Sequence, residues 1–279
     1  MKTMKNLLIA MLCLTMILGC FGCQKQATPA AAAATDAPAV QDDWSYIKEK
    51  GKLVVGITEY APMNYYDESG KLIGFDTEFA EAVAAKLGVD VEFIVIIWEN
   101  KELELSSKTI DCIWNGLTVT EERKANMDFT NSYLTNEQVV VVRAAELSSY
   151  TNAASFKGKA VVAEEGSAGA TAIEADLPDA AFTAVEAQSD ALLEVKAGTA
   201  DAAVIDVTMA KAMVGAGTDY SDLAIVTAVD MMDEEYAIGF RTGSAAVAKF
   251  NEVIKELQGD GTLAAIAEKY ALTDLYIAG

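Results

Sequence analysis

The sequence contains no histidine among its 279 residues. Histidine is the commonest metal ligand and the usual general base near neutral pH, so its absence removes every Ser-His-Asp and Cys-His arrangement. Cysteine is nearly as scarce. Cys13, Cys20 and Cys23 lie at the N-terminal end, which leaves Cys112 alone in the body of the chain and no disulfide within it. A structural zinc site would need ligands that are missing, so no metal and no cofactor is expected. Positive charge is short as well: 21 Lys and Arg stand against 42 Asp and Glu, a formal net charge of −21. A field of that sign repels phosphate backbones and argues against nucleic acid as a partner. The apolar run Asn6–Leu18 is shorter than the ~20 residues that a membrane span takes.

What is present begins with that run. Lys2 and Lys5 precede it, and residues 1–19 read as a signal peptide. Its end, Ile17-Leu18-Gly19-Cys20, resembles the bacterial lipobox, with a small residue directly before cysteine. The resemblance implies that Cys20 is diacylated with palmitate-type chains, becomes the mature N-terminus and anchors the protein to the cell membrane. Cys23, after Phe21-Gly22, is a second candidate; a plain cleaved signal or a buried helix are the simpler readings. Gln24–Val40 is rich in Ala, Pro, Thr and Gln and has no bulky apolar residue before Val40. It cannot bury enough surface to order itself, so residues 20–41 are expected to form a lipidated N-terminus and flexible tether. The folded part would then stand just outside the cytoplasmic membrane.

From residue 43 onward helical and strand periods alternate. Lys52–Ile57 is β-branched and predicts a strand. Asp76 or Thr77 is placed to cap a helix carrying Phe79, Val83 and Leu87, which Gly88 ends. Val89–Ile97 and Ile110–Trp114 predict two more strands. After the valine run Val139–Val142 the rhythm restarts with a strand over Lys159–Ala163, a helix opened by Gly166, a helix with Leu192, Leu193 and Val195 stopped by Gly198, and a strand over Ala202–Ile205 that ends at Asp206. Tyr236–Phe240 predicts a further strand, and two helices finish the chain. This is a βαβ rhythm with largely parallel sheets. Two α/β lobes are expected, one from 42–137 plus 235–279 and one from 138–234.

Ligands of open α/β sheets sit beyond the carboxyl ends of strands. Asn115-Gly116-Leu117-Thr118 follows one such end, and Thr120 can cap a short helix that holds Arg123 in its first turn. The helix dipole disfavours a cation there, so Arg123 reads as a residue with an anion to hold. A guanidinium grips a carboxylate in a two-pronged way. A surface pair with Glu121, Glu122 or Asp128 is the alternative. Asp206, at a strand end, suits a counter-charge, though it could also cap the helix that follows. Trp114 reads as core.

An ordered series of motifs adds to this. Lys52-Leu53-Val54-Val55-Gly56, Ala61-Pro62-Met63, Gly70 to Asp76 and Thr118-Val119-Thr120-Glu121-Glu122-Arg123-Lys124 stand in sequence. Met127-Asp128-Phe129-Thr130, Phe156-Lys157-Gly158-Lys159, Asp260-Gly261-Thr262-Leu263 and Glu268-Lys269-Tyr270 follow. Over residues 50–270 the chain resembles the polar amino-acid binders among the bacterial solute-binding proteins of family 3. That resemblance implies an α/β, two-lobed, periplasmic-binding-protein type II-like fold with a hinge of crossing strands. It implies that Arg123 holds the ligand α-carboxylate, assisted by backbone N–H groups around Ser167 and Ala168. The Gly116 carbonyl, the Thr118 hydroxyl and Asp206 would receive the α-ammonium, and Tyr60 and Trp98 would sandwich the side chain. Glu164 stands where a glutamine-binding member carries a lysine, which leans the ligand toward a basic or polar amino acid. The loop Gly56–Pro62 is shorter than the family pattern, which leaves Glu59 without an assigned role.

The resemblance also implies function: no enzyme, but a binding protein that captures a free amino acid and passes it to an ABC permease in the membrane. A receptor subunit that signals on closing would use the same clamp. A cyclohexadienyl dehydratase-like enzyme shares the fold and needs no histidine, with Glu59, Glu164 and Glu165 as carboxylates to weigh.

Overall fold

A computed structural model describes residues 42–279; the expected signal peptide, Cys20, Cys23 and the tether lie outside the described residues. The first half of the chain runs through α1 (Asp43–Lys50), β1 (Lys52–Ile57), the short hairpin β2 (Tyr65–Tyr66) and β3 (Leu72–Ile73), α2 (Phe75–Leu87) and β4 (Asp90–Val95). It continues with α3 (Lys101–Ser106), β5 (Cys112–Ile113), α4 (Glu121–Lys124) and β6 (Met127–Phe129). The long β7 (Leu134–Arg143) leads to β8 (Ala160–Glu164), α5 (Ala168–Asp176), β9 (Ala181–Val185), α6 (Gln188–Ala197), β10 (Ala202–Asp206), α7 (Val207–Met213) and β11 (Leu223–Val226). The chain returns through β12 (Asp233–Tyr236) and β13 (Gly239–Arg241) and ends in α8 (Ala246–Gly259) and α9 (Thr262–Lys269). Among the described residues no helix is long and apolar enough to cross a membrane.

These strands form two main sheets, of order β4-β1-β5-β13-β6 and β11-β7-β10-β8-β9. β1 lies parallel between β4 and β5, and β8 lies parallel between β10 and β9, as the βαβ rhythm requires. β7 and β12 form an antiparallel pair, with Leu134 opposite Tyr236 and Glu137 opposite Asp233, and this pair carries the chain between the two sheets. A chain that crosses out and back must enter each sheet against its parallel strands. β7 is accordingly antiparallel to β10 and β11, and β13 to β5 and β6, so the sheets are mixed where the sequence suggested largely parallel ones.

Two local expectations are corrected for the same kind of reason. Tyr236–Phe240 is not one strand: it breaks after Tyr236, because β12 belongs to the crossing pair and β13 to the first sheet. The Ala237 N–H bonds to the Leu117 carbonyl at the break, 3.1 Å. Neither Asp76 nor Thr77 caps α2. Gly74 takes the N-cap position with φ 130°, where a side chain would collide with the Met63 carbonyl, and Asp76 is turned inward beneath the Gly116 loop. The stops were legible: Gly88 and Gly198 both end their helices in the left-handed conformation that a side chain disfavours.

An aromatic cluster binds the C-terminal helices to the first sheet. The Trp114 ring lies edge-on to Phe79 at 4.8 Å between centroids, and Phe250 on α8 meets Trp114 at 6.2 Å and Phe240 at 4.8 Å. All four are fully buried, and so is the lone Cys112, which packs as a small apolar side chain. The second sheet has its own core, in which Tyr150 stacks on Phe156 at 4.7 Å beside Val140, Ile173 and Val204. Phe250→Ala removes the side chain that links α8 to Trp114 and Phe240. It is expected to cost about 3–5 kcal/mol in urea denaturation; a loss below about 1 kcal/mol would mean that α8 does not hold this sheet.

Candidate functional site

The carboxyl ends of the parallel strands face one another across the crossing pair. The loop after β1 brings Tyr60, the turn after β4 brings Trp98, and the loop after β5 brings Asn115, Gly116 and Thr118. From the second sheet come Glu164 at the end of β8, Ser167 and Ala168 at the start of α5, and Asp206 at the end of β10. Together with Arg123 from α4 these line one cavity, and all nine residues singled out in the sequence are among its walls. Asn115 and Gln188 complete it. The free space is about 10 Å³, room for about one water. An outer cleft of about 740 Å³, which includes Glu99, Glu102, Glu165 and Glu174, shares Arg123, Ser167 and Ala168 with it as walls.

Arg123 is only 7 % exposed. Thr120 accepts its N–H at 3.1 Å and so caps α4, which fixes where the side chain starts. Its Nη1 donates to the Thr118 carbonyl at 2.8 Å and its Nη2 to the Gly166 carbonyl of the second sheet's side at 3.2 Å. Both partners are neutral. The surface pairing that the sequence left open is not made: Glu121 bonds Lys124 at 2.7 Å and Asp128 accepts the Gly243 N–H at 2.7 Å. Burial pulls the guanidinium pKa down, and the charges of Glu234 and Asp206 push it back up.

Asp206 occupies the N-cap position of α7, yet its side chain makes no capping bond. Oδ1 instead accepts from Asn136 Nδ2 and Gln138 Nε2, both at 2.7 Å, and Oδ2 accepts from Gln188 Nε2 at 2.5 Å. The helix-cap alternative is therefore replaced by a carboxylate held by three amides inside the cavity. Asn136 and Gln138 also donate to Glu234 on β12, at 2.9 Å and at 3.1 to 3.2 Å, and the Thr118 hydroxyl donates to the same carboxyl at 3.0 Å. Two buried carboxyls thus share two amide donors on the crossing strands. Burial raises both pKa values, and the Asp206 charge pushes Glu234 further, to about 7.

The rings are tied in from both sides. The Tyr60 hydroxyl makes a very short contact with the Thr208 hydroxyl of α7 and lies 2.8 Å from the Tyr236 hydroxyl. Trp98 has Lys101 Nζ 5.0 Å and the Arg123 guanidinium 6.0 Å from its ring centroid. Gly116 has φ 57°, and an added Cβ would stand 2.7 Å from Tyr60 and 3.1 Å from Tyr236, so the loop can pass beneath these rings only as glycine. Asp76 supports that loop by accepting the Gly116 N–H at 2.7 Å and the Tyr133 hydroxyl at 3.0 Å. Trp114 is fully buried in the aromatic cluster and does not line the cavity.

At α5 the Ser167 hydroxyl accepts the Ala170 N–H at 3.1 Å, and the Ser167 N–H is committed to the Glu164 carbonyl at 3.2 Å. The helix start that remains for a ligand anion is thus at Ala168, one residue further on. Glu164 is 3 % exposed; burial pushes its carboxyl up to about 8, and Asp206 pushes the same way. Lys101, which the sequence reading passed over, is buried and donates to the Trp98 carbonyl at 3.3 Å and, across the cleft, to the Gly166 carbonyl at 3.0 Å. Burial and Arg123 bring it down to about 8. Glu234, Asn136, Gln138 and Gln188 were missed as well. Asn136 and Gln138 carried a signal: two amides two residues apart share the face of β7 that otherwise carries Leu134, Val140 and Val142. Gln188 carried none. Among the described residues no group of three or more acidic or Cys side chains could hold a metal ion.

A buried cation, Arg123, and a buried anion, Asp206, come from opposite sheets to one small cavity. The sequence profile of the bacterial extracellular solute-binding proteins, family 3, matches residues 53–273. This chain is a family 3 solute-binding protein. Among family 3 relatives, the L-cystine-binding protein TcyJ of Escherichia coli (strain K12) is 29 % identical over 231 residues, covering 82 % of this chain and 86 % of that one. Among solved structures, a mutant of ArgBP from T. maritima is similar with a TM-score of 0.76 and 30 % identity, over 82 % of this chain and 98 % of that one. An ancestral amino acid-binding protein, described as a precursor of cyclohexadienyl dehydratase, gives 0.74 and 28 % identity, over 81 % and 98 %.

The shared-donor pair makes a prediction for this family 3 protein. Glu234 titrates at about 7 when folded, against an ordinary 4.5. A carboxyl raised on folding binds its proton more tightly in the native state, so stability falls as pH rises from about 4.5 to about 7. Glu234→Gln is expected to make that decline shallower. Denaturation curves of wild type and variant that run parallel across this window would contradict it.

Proposed function

We propose that this family 3 protein captures a free amino acid in the cavity and delivers it to an ABC permease in the membrane. The observation that carries the reading is the pair Arg123 and Asp206, one fixed cation and one fixed anion supplied by opposite sheets to the same cavity. That arrangement is complementary to a zwitterion. Arg123 takes the α-carboxylate in a two-pronged bond, assisted by backbone N–H at the start of α5, where Ala168 lies. Asp206 and the Gly116 carbonyl take the α-ammonium. The Thr118 hydroxyl, which donates to Glu234, keeps its lone pairs to accept from the ammonium as well. Ser167 holds the helix start in place, Tyr60 and Trp98 flank the ligand side chain, and Glu164 faces it. The amino-acid-binding names of the relatives support the same ligand class.

The proposed cycle is opening and closure. A space that holds about one water cannot admit an amino acid unless the walls part. The lobes that move are residues 42–137 with 235–279, and residues 138–234. β7 and β12 act as the hinge strands between them. Ligand bonded to both lobes favours the closed form by its differential contacts, joined by the bonds that Lys101 and Arg123 make to the Gly166 carbonyl. Attachment to the membrane is assigned to acylated Cys20, with residues 20–41 as the tether.

Binding, with no bond broken, is favoured over dehydratase-like turnover because the ancestral relative is itself named as an amino acid-binding precursor. Incubation with prephenate or arogenate is therefore expected to give no product. In a thermal-shift screen against the twenty amino acids with ornithine, citrulline and cystine, an amino acid at 100 times its Kd is expected to add about 2.7 kcal/mol of stability. Arg123→Ala leaves the carboxylate unpaired and is expected to cost about 2–5 kcal/mol of binding. Wild-type affinity in that variant would sink the assignment.

A further inference from the structure

Glu234 is buried beside the site but is not one of its walls. It lines instead a second cavity of about 650 Å³ along the crossing pair, with Asn136, Glu137 and Asp233. Its carboxyl only receives. Oε2 accepts from the Thr118 hydroxyl at 3.0 Å and from Asn136 Nδ2 at 2.9 Å, and Gln138 Nε2 reaches Oε2 at 3.1 Å and Oε1 at 3.2 Å. Asn136 and Gln138 each donate to Asp206 as well, so both amides have a second acceptor. The Thr118 hydroxyl has none: among the described residues its proton goes to Glu234 alone.

The place of Thr118 in the wall does not depend on that bond. The Val119 N–H donates to the Glu235 carbonyl at 2.9 Å, the Ala237 N–H donates to the Leu117 carbonyl at 3.1 Å, and Thr118 itself is bridged to Tyr236. The backbone is thus fastened to β12 on both sides of Thr118. What the Glu234 carboxyl decides is where the hydroxyl proton points. A hydroxyl has one proton and two lone pairs, whereas an ammonium has donors alone. A proton turned into the cavity would meet the N–H groups of the ligand. A proton taken from the other side leaves the lone pairs to accept them.

We propose that Glu234 is a positioning residue for ligand capture: by taking the Thr118 hydroxyl proton, it turns the lone pairs of that oxygen toward the α-ammonium. The inference rests on the amino-acid reading above and deepens it. Thr118 then serves both ends of the ligand. Its carbonyl steadies Arg123 Nη1 at 2.8 Å for the carboxylate, and its hydroxyl, set by Glu234, receives the ammonium. The role needs an acceptor and not a charge. Gln at 234 with its carbonyl oxygen in the place of Oε2 keeps the bonds from Thr118 and Asn136, and its NH₂ then faces only Gln138, which Asp206 already holds. Leu fills a similar space and accepts nothing.

The test is calorimetric titration with each amino acid that binds the wild type among the twenty, ornithine, citrulline and cystine. The proteins compared are the wild type, Glu234→Gln, Glu234→Leu, Thr118→Val and the double variant Thr118→Val with Glu234→Leu; Glu234→Met replaces Glu234→Leu in both if the latter does not fold. Glu234→Leu is expected to lose about tenfold or more in affinity, and Glu234→Gln to stay within about threefold of the wild type. In the Thr118→Val background, where no hydroxyl remains to be turned, Glu234→Leu is expected to change affinity by less than about twofold. A role in holding the fold alone would cost the same in both backgrounds, and that result would overturn the inference. Wild-type affinity in Glu234→Leu would overturn it too, and so would a loss in Glu234→Gln as large as in Glu234→Leu, which would make the charge the operative feature. Each of these leaves the amino-acid reading intact. If no amino acid binds the wild type, that broader reading has failed and this inference falls with it.

Discussion

The arrangement on which the rest of the site depends is a buried cation and a buried anion held apart by neutral groups. Arg123 is satisfied by carbonyl oxygens and Asp206 by side-chain amides, so neither charge neutralises the other. Taking single charges out of water is expensive, and only preorganised dipoles make it tolerable. The surrounding parts follow from that need. The crossing strand β7 supplies two amides on one face, α6 supplies a third, and the Gly116 loop is pinned from below by Asp76 so that its backbone passes beneath the rings of Tyr60 and Tyr236.

The same logic explains why the acids in and under the site titrate high. Asp76, Glu164 and Glu234 are all lifted to between about 7 and about 8, in each case first by burial. Carboxyls kept where burial disfavours their charge are more typical of functional sites than of cores. At Asp206 and Glu234 part of that cost is offset by amide and hydroxyl donors. Placing Asn136, Gln138 and Glu234 on the crossing strands also couples the site to the segment about which the two sheets would move.

Much of the fold was legible in the sequence because the signals were local. The β-branched runs Lys52–Ile57, Val139–Val142 and Ala202–Ile205 all lie within strands, and Gly88 and Gly198 stop the helices they were expected to stop. What escaped was set by distant parts of the chain. Ala181–Val185 is an edge strand with exposed positions and no clean alternation, so neither it nor Gln188 at the head of the next helix could be placed. The break inside Tyr236–Phe240 depends on which sheet each half joins. At the site, the residues at strand ends could be named through the motif series. Lys101 and Glu234 could not, because in a chain this rich in charge each looks like one more solvated side chain, and only the structure buries them.

The claim at the centre of this account is that opposed fixed charges hold both ends of a free amino acid. It is tested most directly by titrating each amino acid that binds beside its methyl ester and its N-acetyl derivative. The account predicts that each derivative loses about 30-fold or more in affinity, the ester because Arg123 loses its anion and the acetylated form because Asp206 loses its cation. Either derivative binding as tightly as its parent would contradict it.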